Sequence, residues 1–257
     1  MQSRKAIEKT SVGDLVSENY VFAAVLHYFG ISFYQYPSDS LEKVCQKHKV
    51  NPRQLIAQLE SWALQKDPSL EELYLNPIEL LVAYLKKKHY YFVRQELPFL
   101  SNMISGIVPE PGYEALLGDL RILFPLFVED FIHHIHEEES RLFNRITLLQ
   151  DIEAGEFRIQ DALKILEQEP IHYLAEHHEI HDDEMEGIRR LTQNYVLSDD
   201  APLTMKVLYH ELQNFEKELS IHARIEDELL FPKAVELEKE ALRKIRKQIQ
   251  TNWCPEY

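Results

Sequence analysis

Apolar residues recur at three- and four-residue spacing through most of the chain, and no useful run alternates apolar with polar, so helices are the predicted element throughout. Four long stretches carry the pattern, roughly 77–105, 113–149, 170–196 and 202–243. They are separated by Val108-Pro109-Glu110-Pro111-Gly112, by the region around Gly155, and by Ser198-Asp199-Asp200-Ala201-Pro202, where proline, glycine and short polar side chains stop a helix. A minor helix over about 157–167 decorates the second connection. The first 65 or so residues read instead as short helices. Ser11-Val12-Gly13-Asp14 opens one in capping style, and Asn51-Pro52 opens another, with Leu55, Leu59 and Trp62 following at helical spacing. Polar, proline-bearing Lys66-Asp67-Pro68-Ser69 ends that periodicity and is the expected linker. The expected fold class is all-α: a small helical N-terminal module over 1–68, an antiparallel four-helix bundle over 74–245 and a C-terminal tail over 246–257.

Composition narrows the functions such a fold can serve. With 257 residues, 45% of them hydrophobic, the chain can fill one substantial core and a smaller one. Forty-three acidic residues against 28 basic give a net charge of −15, which repels nucleic acid and anionic membranes, so neither is an expected partner. The opening MQSRKAIEKT has no hydrophobic signal core and no apolar run approaches membrane-spanning length, which predicts a soluble, cytoplasmic protein. The two cysteines, Cys45 and Cys254, are too few for a disulfide scaffold and fit a reducing compartment. Glycine is scarce, at seven residues, and no Gly-rich phosphate loop follows a strand, which disfavours nucleotide-binding α/β folds.

The candidate chemistry lies in a motif written twice. His134-x-x-x-Glu138 precedes Leu142-Phe143, and His222-x-x-x-Glu226 precedes Leu230-Phe231. Residues four apart on a helix project from one face, so each copy aims an imidazole and a carboxylate at the same neighbour. A single such pair is more often a solvated ion pair; the repetition, with its shared Leu-Phe anchor, favours metal ligation. The first helix of the bundle offers His89 and the third offers His177, His178 and His181. On the third, Leu174, His178, His181, Met185, Ile188 and Tyr195 form a stripe at helical spacing with histidines embedded in it. Coordination to a cation offsets the desolvation of buried His and Glu, and this donor set suits iron, manganese or zinc better than magnesium or calcium. Two ions fit the count, with two carboxylates bridging them, histidines as terminal ligands, and room for water, dioxygen or nitric oxide.

At this point the chain resembles the iron-sulfur cluster repair di-iron proteins. The resemblance runs through Thr10 to Val16, Tyr28-Phe29-Gly30-Ile31 and Ser40 to Cys45, then Arg94 to Leu100, His134 to Phe143, Ile188 to Tyr195 and His222 to Pro232. It implies a hemerythrin-like four-helix bundle behind a small helical module, and a pair of iron ions with oxo or carboxylate bridges. It further implies repair or protection of iron-sulfur clusters under nitrosative or oxidative stress, damaged iron-sulfur proteins as partners, NO or O2 as the small ligand, and a homodimer. By resemblance His134, Glu138, His222 and Glu226 map onto ligands, with Glu138 and Glu226 as the bridges. Two positions leave alternatives open. Counting back from Leu97-Pro98 puts Tyr90 where the family's histidine is expected, one residue after His89; the reading prefers His89, through a register change, over a Tyr90 phenolate or an under-coordinated metal. On the third helix His178 is preferred, then His181, then His177. The family's Cys-Cys-Gly-Gly stretch is replaced here by Tyr34-Gln35-Tyr36-Pro37, which raises the standing of a hemerythrin-like O2 or NO carrier or sensor without turnover, and the irregular first-helix position keeps in view a helical interaction protein with a degenerate site.

Overall fold

The computed structural model describes residues 4–64, 68–178 and 185–253. The chain is all-α: among the described residues there is no strand, and a single antiparallel bridge joins Ser11 and Ser40. The helices of the first part are α1 (Arg4–Lys9), α2 (Val12–Glu18), α3 (Val21–Tyr28), α4 (Leu41–His48) and α5 (Pro52–Leu64). Next come α6 (Leu70–Tyr74), α7 (Ile78–Tyr91), α8 (Leu97–Gly106), α9 (Glu114–Glu137) and α10 (Asn144–Ala154). The remainder forms α11 (Ile159–Glu167), α12 (Ile171–His178), α13 (Glu186–Leu191), α14 (Leu203–Ile225) and α15 (Phe231–Trp253). Three π-helical turns, Phe92–Glu96, Glu138–Phe143 and Glu226–Leu230, join α7 to α8, α9 to α10 and α14 to α15.

The helices fall into two compact units, each drawn from separate stretches of chain: Met1–Asp67, Tyr91–Phe127 and Met185–Lys217 in the first, Pro68–Tyr90, Val128–Glu184 and Glu218–Tyr257 in the second. In the first unit the sequence signals for helix starts operate as side-chain caps. Ser11 Oγ accepts from the Asp14 amide at 3.1 Å, and Asn51 Oδ1 accepts from the Arg53 amide at 3.0 Å. Leu15, Leu26, Phe33, Leu41 and Leu55 are buried there. Tyr34 lies across α8: its hydroxyl donates to the Asn102 carbonyl at 3.0 Å, and a Cβ on Gly106 would stand 2.2 Å from that hydroxyl, so only glycine fits beneath it.

The second unit is organised around a core that includes Leu81, Leu85, Leu142, Phe143, Leu230 and Phe231. In it α10 and α12 pack on α15, and α11 packs on α10. Both Leu-Phe pairs of the repeated motif are therefore anchors, holding the chain just beyond each Glu into apolar surroundings.

The elements differ from the sequence reading at three places. A capping box at Ser69 and Glu72 starts α6, which the reading assigned to no helix. The fourth long helix runs to Trp253; Ile245 carries its buried face past the predicted end, and residues 246–251 continue the helix fully exposed. The third stretch, expected to be helical to 196, ends at Leu191. The Gln193 amide bonds the Arg190 carbonyl and the Asn194 amide the Arg189 carbonyl, a Schellman-type closure. Gln193, Asn194 and Tyr195 then take left-handed φ values of 52°, 58° and 60°. No glycine announces that stop.

Candidate metal centre

His89 lies on the buried face of α7, in line with Leu81, Val82 and Leu85, and is only 2% exposed. Its neighbour Tyr90 is 64% exposed. The π turn that begins at Phe92 explains why counting back from Leu97-Pro98 misses by one residue. A π turn holds one residue more than an α turn over the same path, and one residue is about 100° of rotation. Pro98 has no amide hydrogen to close an α-type bond onto residue 94, and Pro232 stands in the same relation to the turn Glu226–Leu230. The turn Glu138–Phe143 has no such proline. There the Asn144 side-chain amide donates to the Ser140 carbonyl at 3.1 Å, satisfying a backbone group within the turn. Each π turn follows or contains a candidate ligand, as such turns often do at functional sites.

Four of the residues singled out in the sequence converge. Donor atoms of His89, Glu138, His222 and Glu226 all lie within 4.8 Å of one another, and all four residues are buried. His89 Nε2 and His222 Nε2 are 3.0 Å apart, His89 Nε2 and Glu138 Oε2 3.2 Å, and His222 Nε2 and Glu226 Oε1 2.7 Å. Two nitrogens each about 2.1 Å from one ion and at right angles to each other would be about 3.0 Å apart, which is the spacing found. Phe143 stacks on the His89 ring with centroids 5.7 Å apart and planes 8° from parallel, fixing that ring from one side. From the other end, His89 Nδ1 meets Glu139 Oε1 at 2.9 Å. With Nδ1–H donating to that carboxylate, the Nε2 lone pair faces the cluster, the tautomer that ligation needs.

Electrostatics supports the fit to a cation. Both oxygens of Glu138 are buried and accept no well-formed hydrogen bond, an expensive arrangement for a carboxylate unless something else meets it. Burial first, and then the Glu226 carboxylate, push Glu138 far above the ordinary carboxylate range, with His89 opposing them. Burial alone would lower His89, but Glu138, Glu139 and Glu226 outweigh it and raise the imidazole. The metal-free cluster therefore holds extra protons, which a cation binding there would displace. Two nitrogens and two carboxylates form a donor set for iron, manganese or zinc.

Among the described residues, His134 is not one of the four that converge. His134 is half-buried and packs parallel to Phe131 at 6.3 Å between centroids. The backbone of His178 lies in α12, but its side chain, like that of His177, lies outside the described residues, as does the whole of His181. Glu139 joins the site through the His89 ring, a placement that depends on the π turn, whereas Glu137, two residues earlier, is exposed. No described helix is long and apolar enough to cross a membrane.

No protein-family model matches the chain. Among curated proteins it is similar to "Iron-sulfur cluster repair protein ScdA" of Staphylococcus haemolyticus (strain JCSC1435), 23% identical over 224 residues that cover 86% of this chain and 96% of that protein. It is also similar to "Iron-sulfur cluster repair protein YtfE" of Yersinia pseudotuberculosis serotype IB (strain PB1/+) and of Yersinia pestis (strain Pestoides F), each 25% identical over 198 residues that cover 76% of this chain and 83% of theirs. Coverage this broad at such low identity, together with an all-α fold and a buried His/Glu group able to hold a metal, supports a distant kinship with the iron-sulfur cluster repair proteins.

Proposed function

We propose that this chain is a non-haem di-iron protein that repairs or protects iron-sulfur clusters under nitrosative or oxidative stress. The observation that carries the reading is the convergence of two buried imidazoles with two buried carboxylates at ligand spacing. His89, His222, Glu138 and Glu226 would hold one ion; Glu138 and Glu226 would also reach a second, completed by His134 and by histidines of the third helix, His178 or His181. Bound iron would supply redox chemistry and a coordination position for a diatomic molecule such as NO or O2. The chain's own part is to keep water away from the carboxylates, to set the His89 tautomer through Glu139, and to give up on ligation the protons that the metal-free cluster holds. Damaged iron-sulfur proteins are the proposed clients, in the cytoplasm, and a homodimer the proposed assembly. The proposed organisation is a small helical N-terminal module over 1–68, a hemerythrin-like four-helix bundle over 74–245 and a C-terminal tail over 246–257.

The test is metal analysis of protein purified anaerobically, followed by incubation with an apo or NO-damaged cluster protein. About two irons per chain and restoration of the client's cluster absorbance are expected. Absence of bound metal after anaerobic loading overturns the reading. A second reading, a carrier or sensor of O2 or NO without turnover, is favoured by the segment around Tyr34. The chain has no vicinal cysteine pair, and Tyr34 is held on α8 by its hydrogen bond to Asn102. Reversible NO binding by loaded protein that leaves the client's cluster unrestored would select it.

A further inference from the structure

Beyond the four converging residues, the second unit buries a further ion pair. Arg145 on α10 donates through Nη2 to Glu238 on α15, and through Nη1 to the carbonyl of Glu169 in the segment that leads into α12. The other oxygen of Glu238 accepts from the Ile171 amide, the first residue of α12, at 3.1 Å. Both side chains are more than nine-tenths buried, within a unit whose core includes Ile146, Leu149, Ile171 and Ala241. Such a pair is a poor way to gain stability. Its desolvation offsets most of its attraction, an apolar pair of similar volume commonly serves as well, and here Arg145 Nε is buried without a partner. What the pair supplies and an apolar pair does not is direction. The pair, bonded to each other, holds the Glu169 carbonyl and the Ile171 amide, and so the start of α12, against two helices at a single register.

The placement of those helices gives the register a consequence. Helix α10 continues the π turn that starts at Glu138, α15 continues the one that starts at Glu226, and α12 carries His177 and His178. We propose that Arg145 and Glu238 are positioning residues that lock the start of α12 onto the continuations of the two carboxylate-bearing helices, so that the third helix delivers its donor to the second metal ion. This rests on the two-ion reading above. A helix slipped by one residue turns its side chains by about 100°, so an apolar contact that tolerates sliding would not hold a ligand in place.

The test replaces the pair by apolar residues, Arg145→Met with Glu238→Leu, which leaves no buried charge unpaired and frees only the Ile171 amide and the Glu169 carbonyl; Arg145→Lys is the conservative companion. Bound iron per chain and the rate at which a chelator removes each ion are measured on full-length protein, with amide hydrogen exchange of the metal-free form. The double variant is expected to fold and melt within about 10 °C of wild type, keep one ion at wild-type resistance to the chelator, and lose the second at least tenfold faster. Its α12 amides should exchange at least tenfold faster while α10 and α15 keep their protection. Arg145→Lys should fall between. If wild type and double variant both hold two ions with equal resistance, the positioning role is overturned and the two-ion reading stands. If wild type itself holds fewer than two, the two-ion reading fails and takes the proposal with it.

Discussion

Replacing Glu138 by Gln should stabilise the metal-free protein and abolish what metal adds, a reversal of sign that separates a ligand from a structural polar residue. Burial, then the Glu226 carboxylate, lift Glu138 from an ordinary 4.5 to about 8. A carboxyl whose folded value is raised imposes no penalty below pH 4.5, a growing one as pH climbs, and a constant one above pH 8. At pH 7 the unfolded chain ionises freely while the folded chain retains the proton, a difference worth about 3 kcal/mol at 1.36 kcal/mol per unit; at pH 5 it is below about 1 kcal/mol. His89, also raised, works in the same sense, since the stability it adds is complete below its ordinary 6.5 and is lost as pH passes its folded value. Metal-free wild type therefore weakens between pH 5 and pH 8. Glutamine copies the neutral acid without the penalty, so chelated Glu138→Gln should be about 2–3 kcal/mol more stable than chelated wild type at pH 7, roughly 5–10 °C in melting temperature. Free ion at a thousand times Kd should add about 4 kcal/mol to wild type and far less to the variant, inverting their order. The assay is thermal and denaturant unfolding by circular dichroism at pH 5 and pH 7, in chelator and with anaerobic Fe(II). A variant less stable than wild type in chelator at pH 7, or one that metal stabilises equally, refutes the reasoning.

Three other substitutions probe separate parts of the argument. Glu139→Ala should weaken metal binding about 10–100-fold by freeing the His89 ring, yet leave chelated stability within about 0.5 kcal/mol because Glu139 is partly solvated; chelator competition reads the first, and an unchanged Kd counts against the orienting role. Burial pushes Glu211 on α14 up to about 7, so Glu211→Gln should stabilise by about 1–3 kcal/mol at pH 8 and by almost nothing at pH 4. A gain that does not vary with pH excludes burial as its cause. Gly106→Ala should cost about 1–3 kcal/mol by driving Tyr34 off the Asn102 carbonyl, and should cost little in a Tyr34→Ala background. Additive costs would show that the two residues do not compete for that space.

Much of this was legible in the chain because helical period, caps and a repeated motif are local signals. The His222 and Glu226 pair sits one turn apart on a face that packing buries, and Leu142-Phe143 and Leu230-Phe231 are the anchors their repetition announced. Less was legible where the signal was long-range or atypical. The stop at Leu191 uses three non-glycine residues in left-handed conformation, and α15 outruns its apolar pattern with last turns, over 246–251, that are exposed. Arg145 and Glu238 read as ordinary helix-surface charges until tertiary packing places them together. His134 had as strong a sequence case as His222, and spacing alone carries no information on which of the two reaches the four-residue group.

The one-residue conflict at His89 and Tyr90 shows what spacing arguments need before they can address chemistry. A helix is a ruler only while its hydrogen bonds keep one pattern, and each π turn resets that ruler by about 100°. Leu97-Pro98 and Phe231-Pro232 carry the warning in plain sequence, since a proline inside an otherwise unbroken helical pattern must displace a backbone bond. At Glu138 the same distortion has only Asn144 as a local sign. Measured by ring burial, α-helical counting would have turned the wrong side chain inward, exposing His89 and burying Tyr90. The turns also constrain the energetics. A bulge that closes with a displaced bond is tolerated where something else repays it, and in the metal-free chain the residues it brings together are a carboxyl held protonated beside the Glu226 carboxylate and two imidazole nitrogens 3.0 Å apart. Buried titratable donors gathered beside three interrupted helices are not what folding alone selects, and a bound cation would meet them all.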